Sequence, residues 1–405
     1  LHEVEVLDLF SHFATIPIAY NHPKLKDPAF LEELHRAALT KPANSDIYTQ
    51  EMARFVATFA RVAVPESHAR HLFFVEGGSV GVENTLKTAF DWKVRKNFRK
   101  GYRREVGHQV IHFEQAFHGR TGYTLSLTNT ADPRKTMYFP KFQWPRIVNP
   151  KLRFPVDAAE VERVTKVEAL ALAQVKQALV DNRDDVAALI IEPIQAEGGD
   201  NHFRPEFLVA LRQLCDENDM LFICDEVQTG IGLTGRMWGF QTVGVTPDLF
   251  AFGKKMQVCG FASNERIFDE PENVFHVSSR INSTWGGNLV DMVRARKYLE
   301  IIEEEDLVGN ARTVGEFLMS RLQELAAEFP GKMGNVRGRG LFIAFDLPDG
   351  PTRGKVLSTW LQKHNVMGLS SGESAIRLRP ALTLSKDEAL LGVQRLRATL
   401  TEVFG

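Results

Sequence analysis

Cysteine is scarce: Cys215, Cys224 and Cys259 are the only three in 405 residues, widely spaced and with no CxxC pair. That argues against a disulfide framework and a thiolate zinc site, and fits a reducing, cytoplasmic setting. Neither sign of charge prevails, because 49 Lys and Arg stand against 51 Asp and Glu, a formal net charge of -2. A nucleic-acid partner or an anionic membrane surface is therefore not expected. No apolar run reaches the roughly eighteen residues that span a bilayer. The opening LHEVEVLDLF lacks the regions of a signal peptide, and since it starts at Leu1 the natural chain is expected to be longer. Internal repeats and low-complexity linkers are missing as well. The acidic run at 300–306 reads as a solvated helix end. His68 with His71 and His108 with His112 have helical spacing but no third ligand, so no metal is expected. No GxGxxG follows a leading strand, which excludes a dinucleotide fingerprint.

What is present is a globular composition, 44% hydrophobic and 25% charged, long enough for about two to three domains. From about residue 70 to 280, β-rich apolar runs alternate with helical periodicity, the pattern of βαβ units and a mostly parallel sheet. HLFFVEGG, HQVIHFE, VAALIIEPI, MLFICDEV and PDLFAFG are the strand candidates. After the first, Val82, Thr85, Leu86, Ala89 and Phe90 share one helical face. A long helix lies ahead of VAALIIEPI. The tail alternates three helical stretches with GLFIAFDL and AIRLRPAL, an α+β arrangement. The first sixty residues, punctuated by Pro17, Pro23, Pro28 and Pro42, read as an arm with a short helix. The expected division is 1–60 for the arm and part of a small domain, 61–295 for a large domain, and 296–405 for the rest of the small domain.

In such a sheet, ligands bind beyond the carboxyl ends of the strands. Gly77-Gly78-Ser79 joins strand to helix, where free N–H groups, the helix dipole and a hydroxyl can hold a phosphate; the blander reading is a tight turn. Asp225 ends an apolar strand, so its carboxylate needs a cation, which a protonated ring nitrogen or a buried salt bridge would supply. Lys254 follows Leu249-Phe250-Ala251-Phe252-Gly253, where a lowered pKa would make it an amine nucleophile. Lys255 competes, but neighbours in extended chain point opposite ways and Gly253 favours close approach at Lys254. Phe117, His118, Gly119 and Arg120 offer a ring for stacking and a guanidinium for a carboxylate. Together these are what pyridoxal phosphate needs: anchorage, stacking, an acid for the ring nitrogen and a Schiff-base amine.

The same residues carry a resemblance. NHP at 21–23, KPANSD at 41–46, FFVEGGSVGVEN at 73–84, FHGRTGYTLSLTN at 117–129, IIEPIQAEGGDNHF at 190–203, DEVQTGIGLTG at 225–235, FGKK at 252–255 and STWGGN at 283–288 occur in order. The chain resembles the class III, ω-amino-acid aminotransferases of fold-type I, and NSTWGGN with EGGDNHF resembles their lysine branch. The resemblance implies an α/β fold whose mostly parallel central sheet is flanked by helices, with a smaller α+β domain. It implies that Lys254 and Asp225 are catalytic. Gly78 and Ser79 would hold the phosphate, Phe117 would stack on the ring, and Gln228 would meet the phenolic oxygen. Glu192 would belong to the cofactor site, and Thr284 would reach the phosphate across a homodimer. The common family loop reads Ser-Gly-Thr where this chain has Gly77-Gly78-Ser79.

The implied substrates are L-lysine, through its ε-amine, and 2-oxoglutarate. They conflict, since a bare methylene chain and a carboxylate must take turns beside the reacting carbon. Arg120 is the candidate for the distal carboxylate and Arg377 for the near one, with Arg379 two positions away as its rival. The resemblance implies that Glu197 masks Arg377 for lysine and swings away for 2-oxoglutarate, with Gly198 and Gly199 helping it to move. Asn282 is expected at the substrate site. The alternatives are an ornithine or 4-aminobutyrate aminotransferase, or a non-catalytic pyridoxal-phosphate-binding protein.

Overall fold

The computed structural model describes residues 3–405. Where an arm and one short helix are expected, two full helices stand, α1 (Pro28–Leu39) and α2 (Gln50–Val62). Pro23 and Pro28 mark helical starts rather than an absence of helix. Asp27 caps α1 by accepting from the Ala29 and Phe30 amides, with Pro28 in the first turn where its missing N–H costs nothing. Thr49 caps α2 in the same way, and Phe55 and Phe59 of its buried face pack edge-on against Phe74 and Phe252.

The central sheet has seven strands: β1 (Leu72–Val75), β2 (Gln109–Phe113), β3 (Arg146–Ile147), β4 (Val186–Ile191), β5 (Leu221–Asp225), β6 (Leu249–Phe252) and β7 (Cys259–Ser263). Their order is β1-β7-β6-β5-β4-β2-β3. β7 runs antiparallel to both neighbours and all other pairings are parallel. β1 therefore points the same way as β2 to β6, and six strands present their carboxyl ends at one edge.

Both faces of this sheet are covered, which is why its strands are continuous apolar runs rather than alternating ones. Leu221, Ile223, Leu249 and Ala251 join Val82, Leu86, Ala89 and Trp92 of helix α3 (Gly78–Arg99) in one core. Beyond α3 come the short α4 (Gly122–Leu127), then α5 (Ala158–Asp181) and α6 (Pro205–Glu217). Phe222, Cys224, Phe250 and Phe252 belong to a second core that also holds Val175 of α5 and Phe207 and Leu211 of α6, with Phe252 against Phe59 of α2 and Phe250 against Trp238.

The C-terminal part continues with α7 (Leu289–Glu304) and α8 (Leu307–Glu328), then an antiparallel sheet of β8 (Gly334–Arg339), β9 (Phe342–Asp346), β10 (Leu369–Ser371) and β11 (Ala375–Leu378), in the order β8-β9-β11-β10. α9 (Gly350–His364) links β9 to β10, and α10 (Lys386–Phe404) closes the chain. Leu7 and Asp8 pair in parallel with Val366 and Met367, so the N-terminal segment is stitched to this C-terminal layer. Among the described residues, no helix is long and apolar enough to cross a membrane.

Ile190 lies in the middle of β4 and is fully buried. Ile190→Ala is expected to destabilise the protein by about 3 kcal/mol through lost transfer energy and a residual cavity. Val180→Ala, at a site 72% exposed, is expected to change stability by less than about 0.5 kcal/mol. Unfolding midpoints of the two variants check the contrast.

Candidate active site

At the common carboxyl edge lies a cavity of about 320 Å³ lined by Gly78, Ser79, Phe117, His118, Gly119, Arg120, Glu192, Glu197, Asp225, Val227, Gln228 and Lys254. The fold delivers each in a definite way. Asp225 is the last residue of β5, opposite Ala251 of β6, and Lys254 follows two residues after β6 ends. Glu192 directly follows β4, and Phe117 follows β2 by four residues.

Gly77 precedes α3 with φ +99°, a left-handed conformation that suits glycine, and no side chain caps the helix. The first amides of α3 are left for an anion, which the helix dipole favours. Beside them, the Ser79 hydroxyl contacts the Thr121 and Thr124 hydroxyls, each at 2.7 Å. Gly119, at φ +127°, passes so close that a Cβ there would lie 2.1 Å from Ser79 Oγ. Only glycine fits that cradle.

The Asp225 carboxylate is 5% exposed. One oxygen lies 2.8 Å from His118 Nδ1, and the other accepts from the Val227 amide at 3.1 Å. His118 Nε2 is buried without a partner. Glu192 accepts from the Phe117 and Ala196 amides at 2.9 and 3.0 Å, which fixes the backbone that carries the Phe117 ring. Burial pushes the Glu192 carboxyl up to about 7, with Asp225 adding to the rise and His118 opposing it.

The two lysines part company. Lys254 lines the cavity in a left-handed conformation, φ +47°. Burial lowers its ammonium from the ordinary value, with Asp225 opposing and Arg377 reinforcing the shift. Lys255 is buried elsewhere and donates to the Ile16 carbonyl at 3.2 Å. Burial lowers Lys255 to about 7, helped by Arg379 and opposed by Asp8.

The arginines part as well. Arg379 is fully buried and donates to both oxygens of Asp200 at 2.7 Å, a locked pair. Arg377 donates to Glu197 Oε2 at 2.5 Å and to Gln228 Oε1 at 3.3 Å. Arg377 does not line the cavity; its two partners do. Gln228 Oε1 also accepts from Arg379 Nε at 3.0 Å, which leaves the Gln228 amide nitrogen as its free donor. Burial raises Glu197, but Arg377 and Lys135 outweigh it, so the carboxyl sits below its ordinary value.

One expectation from sequence needs correction. Gly198 and Gly199 are not a hinge. A Cβ on Gly198 would lie 2.0 Å from the Gln115 carbonyl, and the Glu197 carbonyl accepts from the Gly372 amide at 3.0 Å, so this backbone is pinned. Asn282 and Thr284 are exposed and do not line the cavity within one chain. Their loop is instead tied to the KPANSD segment, with the Asn44 amide donating to the Trp285 carbonyl at 3.0 Å and Ser45 Oγ to the Thr284 carbonyl at 3.2 Å. Arg120 is exposed at the cavity rim.

Two groups at the site had no role assigned from sequence. His118 was visible in the Phe117-His118-Gly119-Arg120 segment, but its partner is 107 positions away. Lys135, which contacts Glu197, lies in a surface turn, Pro133–Lys135, with no pattern to mark it. Among the described residues, no cluster of three or more His, Cys, Asp or Glu could hold a metal ion.

The family model of the class-III aminotransferases matches residues 2–400. The chain is 50% identical over 398 residues to the L-lysine-epsilon aminotransferase of Mycobacterium tuberculosis (strain H37Rv), covering 98% of this chain and 87% of that one. It is 48% identical to the L-lysine-epsilon aminotransferase of Streptomyces clavuligerus, with 98% and 86% covered, and 33% identical to the 4-aminobutyrate aminotransferase of Schizosaccharomyces pombe, with 96% and 84% covered. The solved structure of lysine aminotransferase from M. tuberculosis in the internal aldimine form superposes with a TM-score of 0.95, at 50% identity, over 98% of this chain and 90% of that chain.

A carboxyl whose pKa is raised on folding holds its proton more tightly in the folded state. The stability it contributes is complete below the ordinary value of 4.5 and is lost as pH rises through about 7. Relative to Glu192→Gln, the wild-type protein is therefore expected to lose thermal stability between about pH 5 and pH 8. Parallel stability profiles for the two proteins would refute the assignment.

Proposed function

We propose, from the premise that the chain belongs to the class-III aminotransferases, that it transfers the ε-amino group of L-lysine to 2-oxoglutarate. Its cofactor is pyridoxal 5'-phosphate, and the cavity fits that group. The uncapped start of α3 and the glycine-only cradle at Gly119 suit a phosphate, Phe117 and Val227 suit the faces of a flat ring, and Asp225 suits a protonated ring nitrogen. When bound, pyridoxal phosphate draws electrons from the carbon bearing the substrate nitrogen, which makes the proton on that carbon removable.

The protein's own groups do the rest. Lys254, with its ammonium lowered by burial, is the amine that holds and moves that proton at Nζ. Asp225, fixed by His118 and the Val227 amide, would meet the ring nitrogen with its carboxylate. The amides and hydroxyl of Gly78 and Ser79 would hold the phosphate, and the Gln228 amide nitrogen would be the donor for the phenolic oxygen. Glu192 keeps the Phe117 backbone in place. Arg120, at the rim, takes the carboxylate far from the reacting carbon.

The Glu197–Arg377 pair at 2.5 Å carries the substrate reading. A bare Arg377 would attract the α-carboxylate of an ordinary amino acid, whereas a masked one tolerates the methylene chain of lysine's ε end. Exchange of Glu197 for the carboxylate of 2-oxoglutarate then serves the second half of the cycle. The relatives' names support lysine as donor.

The assembly we propose is a homodimer in which Thr284 of one subunit reaches the phosphate bound by its neighbour and Asn282 stands near the substrate. The exposed Ile47, Tyr48 and Trp285 beside that loop support it. We divide the chain into 1–60 and 296–405, a small domain drawn from both ends, and 61–295, the large one. Three free thiols support a cytoplasmic setting.

Lysine is expected to bleach the visible absorption of the cofactor-loaded protein and 2-oxoglutarate to restore it. A spectrum that responds to ornithine or 4-aminobutyrate but not to lysine would overturn the donor. Lys254→Ala is expected to abolish turnover and the borohydride-reducible band, and Lys255→Ala to keep that band. Glu197→Ala is expected to shift preference from lysine towards glutamate by about tenfold or more, the size of a lost charge partner. Unchanged relative rates for the two donors would sink the switch.

A further inference from the structure

Glu197 does not have one cation but two. Its Oε2 accepts from Arg377 at 2.5 Å, while its Oε1 contacts Lys135 Nζ. The surroundings of the two differ. The Arg377 side chain is 2% exposed on β11, whereas those of Lys135 and Glu197 are 24% and 25% exposed. Glu197 also lines two cavities, the cofactor cavity and a vestibule of about 500 Å³ that adjoins it through this one side chain. The vestibule is lined by Arg134, Lys135 and Arg353 together with Asp132 and Glu373. Asp132 is already held by Arg134 through two hydrogen bonds of 2.8 and 3.0 Å.

We propose that Lys135 is a positioning residue for substrate exchange, the seat that keeps Glu197 on the vestibule side while Arg377 is occupied by a substrate carboxylate. The proposal rests on the masking role of Glu197 given above. Because the Glu197 carbonyl is held by the Gly372 amide and the next residue, Gly198, lies against the Gln115 carbonyl, the exchange is a rotation of the side chain alone. That rotation breaks the Arg377 contact. It need not break the Lys135 contact, since a lysine on a surface turn follows through four torsions where Arg377 on a buried strand cannot.

The energetics favour this seat. A half-buried carboxylate that leaves Arg377 with no other partner would be left uncompensated, the costly outcome for a charge at such a site. With Arg377 in place, Lys135 is one of two partners; once Arg377 is taken, it is the contact partner that remains. Lys135 therefore matters more to the open arrangement than to the closed one, and its loss biases Glu197 towards masking.

Glutarate, with both carboxylates of 2-oxoglutarate and no carbonyl to react, is the probe, titrated calorimetrically into the cofactor-loaded protein. Lys135→Met is expected to weaken glutarate binding about tenfold and Lys135→Arg to stay within about twofold of wild type, the scale of one exchanged charge contact. In a Glu197→Ala background, which itself is expected to bind glutarate more tightly, Lys135→Met is expected to change affinity less than about twofold, as an indirect effect requires. Equal weakening in both backgrounds would show that Lys135 contacts the anion itself, and no weakening in either would show that it has no part; both overturn the proposal. If Glu197→Ala leaves glutarate affinity unchanged, the masking role fails, and the proposal falls with it.

Discussion

The site follows from one constraint: charged groups placed at the ends of strands whose both faces are buried. β5 and β6 have no polar face to offer, so the chemistry they carry sits at their carboxyl ends, in Asp225 and just beyond Phe252 in Lys254. A carboxylate in that place must be met. Here the Val227 amide and His118 meet it in part, and both belong to segments that line the same cavity. The raised Glu192 carboxyl and the lowered Lys254 ammonium have the same origin, desolvation at the edge of an apolar sheet.

What the residues disclosed before folding, and what they hid, follows the same physics. The parallel strands were legible because burial on both faces demands long apolar runs. β7 escaped notice because CGFAS is made mostly of small residues: Gly260 at φ +157° lies so close to the Phe73 carbonyl that a Cβ would sit 2.0 Å from it. α9 was hidden because its only buried residues are Val356 and Trp360, too few to give a periodic signal. At the site, residues that end strands announced themselves by interrupting apolar runs. Residues that act through partners did not, since the 62 positions between Lys135 and Glu197 close only in the fold.

Arg377 on β11 and Arg379 just beyond it show how a fold separates similar groups. Arg377 and Arg379 have the same spacing as two side chains on one face of a strand. What distinguishes them is the anion each meets. Asp200 is fully buried and binds Arg379 through both oxygens, an arrangement that could open only by leaving two charges in the interior. Arg377 meets a carboxylate that is a quarter exposed and also lines the vestibule. Gln228 touches both guanidiniums through one oxygen, so the locked pair braces the exchangeable one.

On the proposed function, counting charges shows how a single pocket would serve two unlike substrates. Arg377, Lys135 and Glu197 bring two positive charges and one negative, with the carboxylate bridging both cations. The reacting end of lysine brings no carboxylate, so the bridge can stay. An oxo acid brings one carboxylate to the reacting carbon, and two cations with two anions resolve into two pairs, one on Arg377 and one on Lys135. Neither arrangement leaves a carboxylate alone. On that proposal, the selectivity problem that a fixed arginine creates would be met by a shared anion with two cations within reach, and the exchange would ask nothing of the backbone.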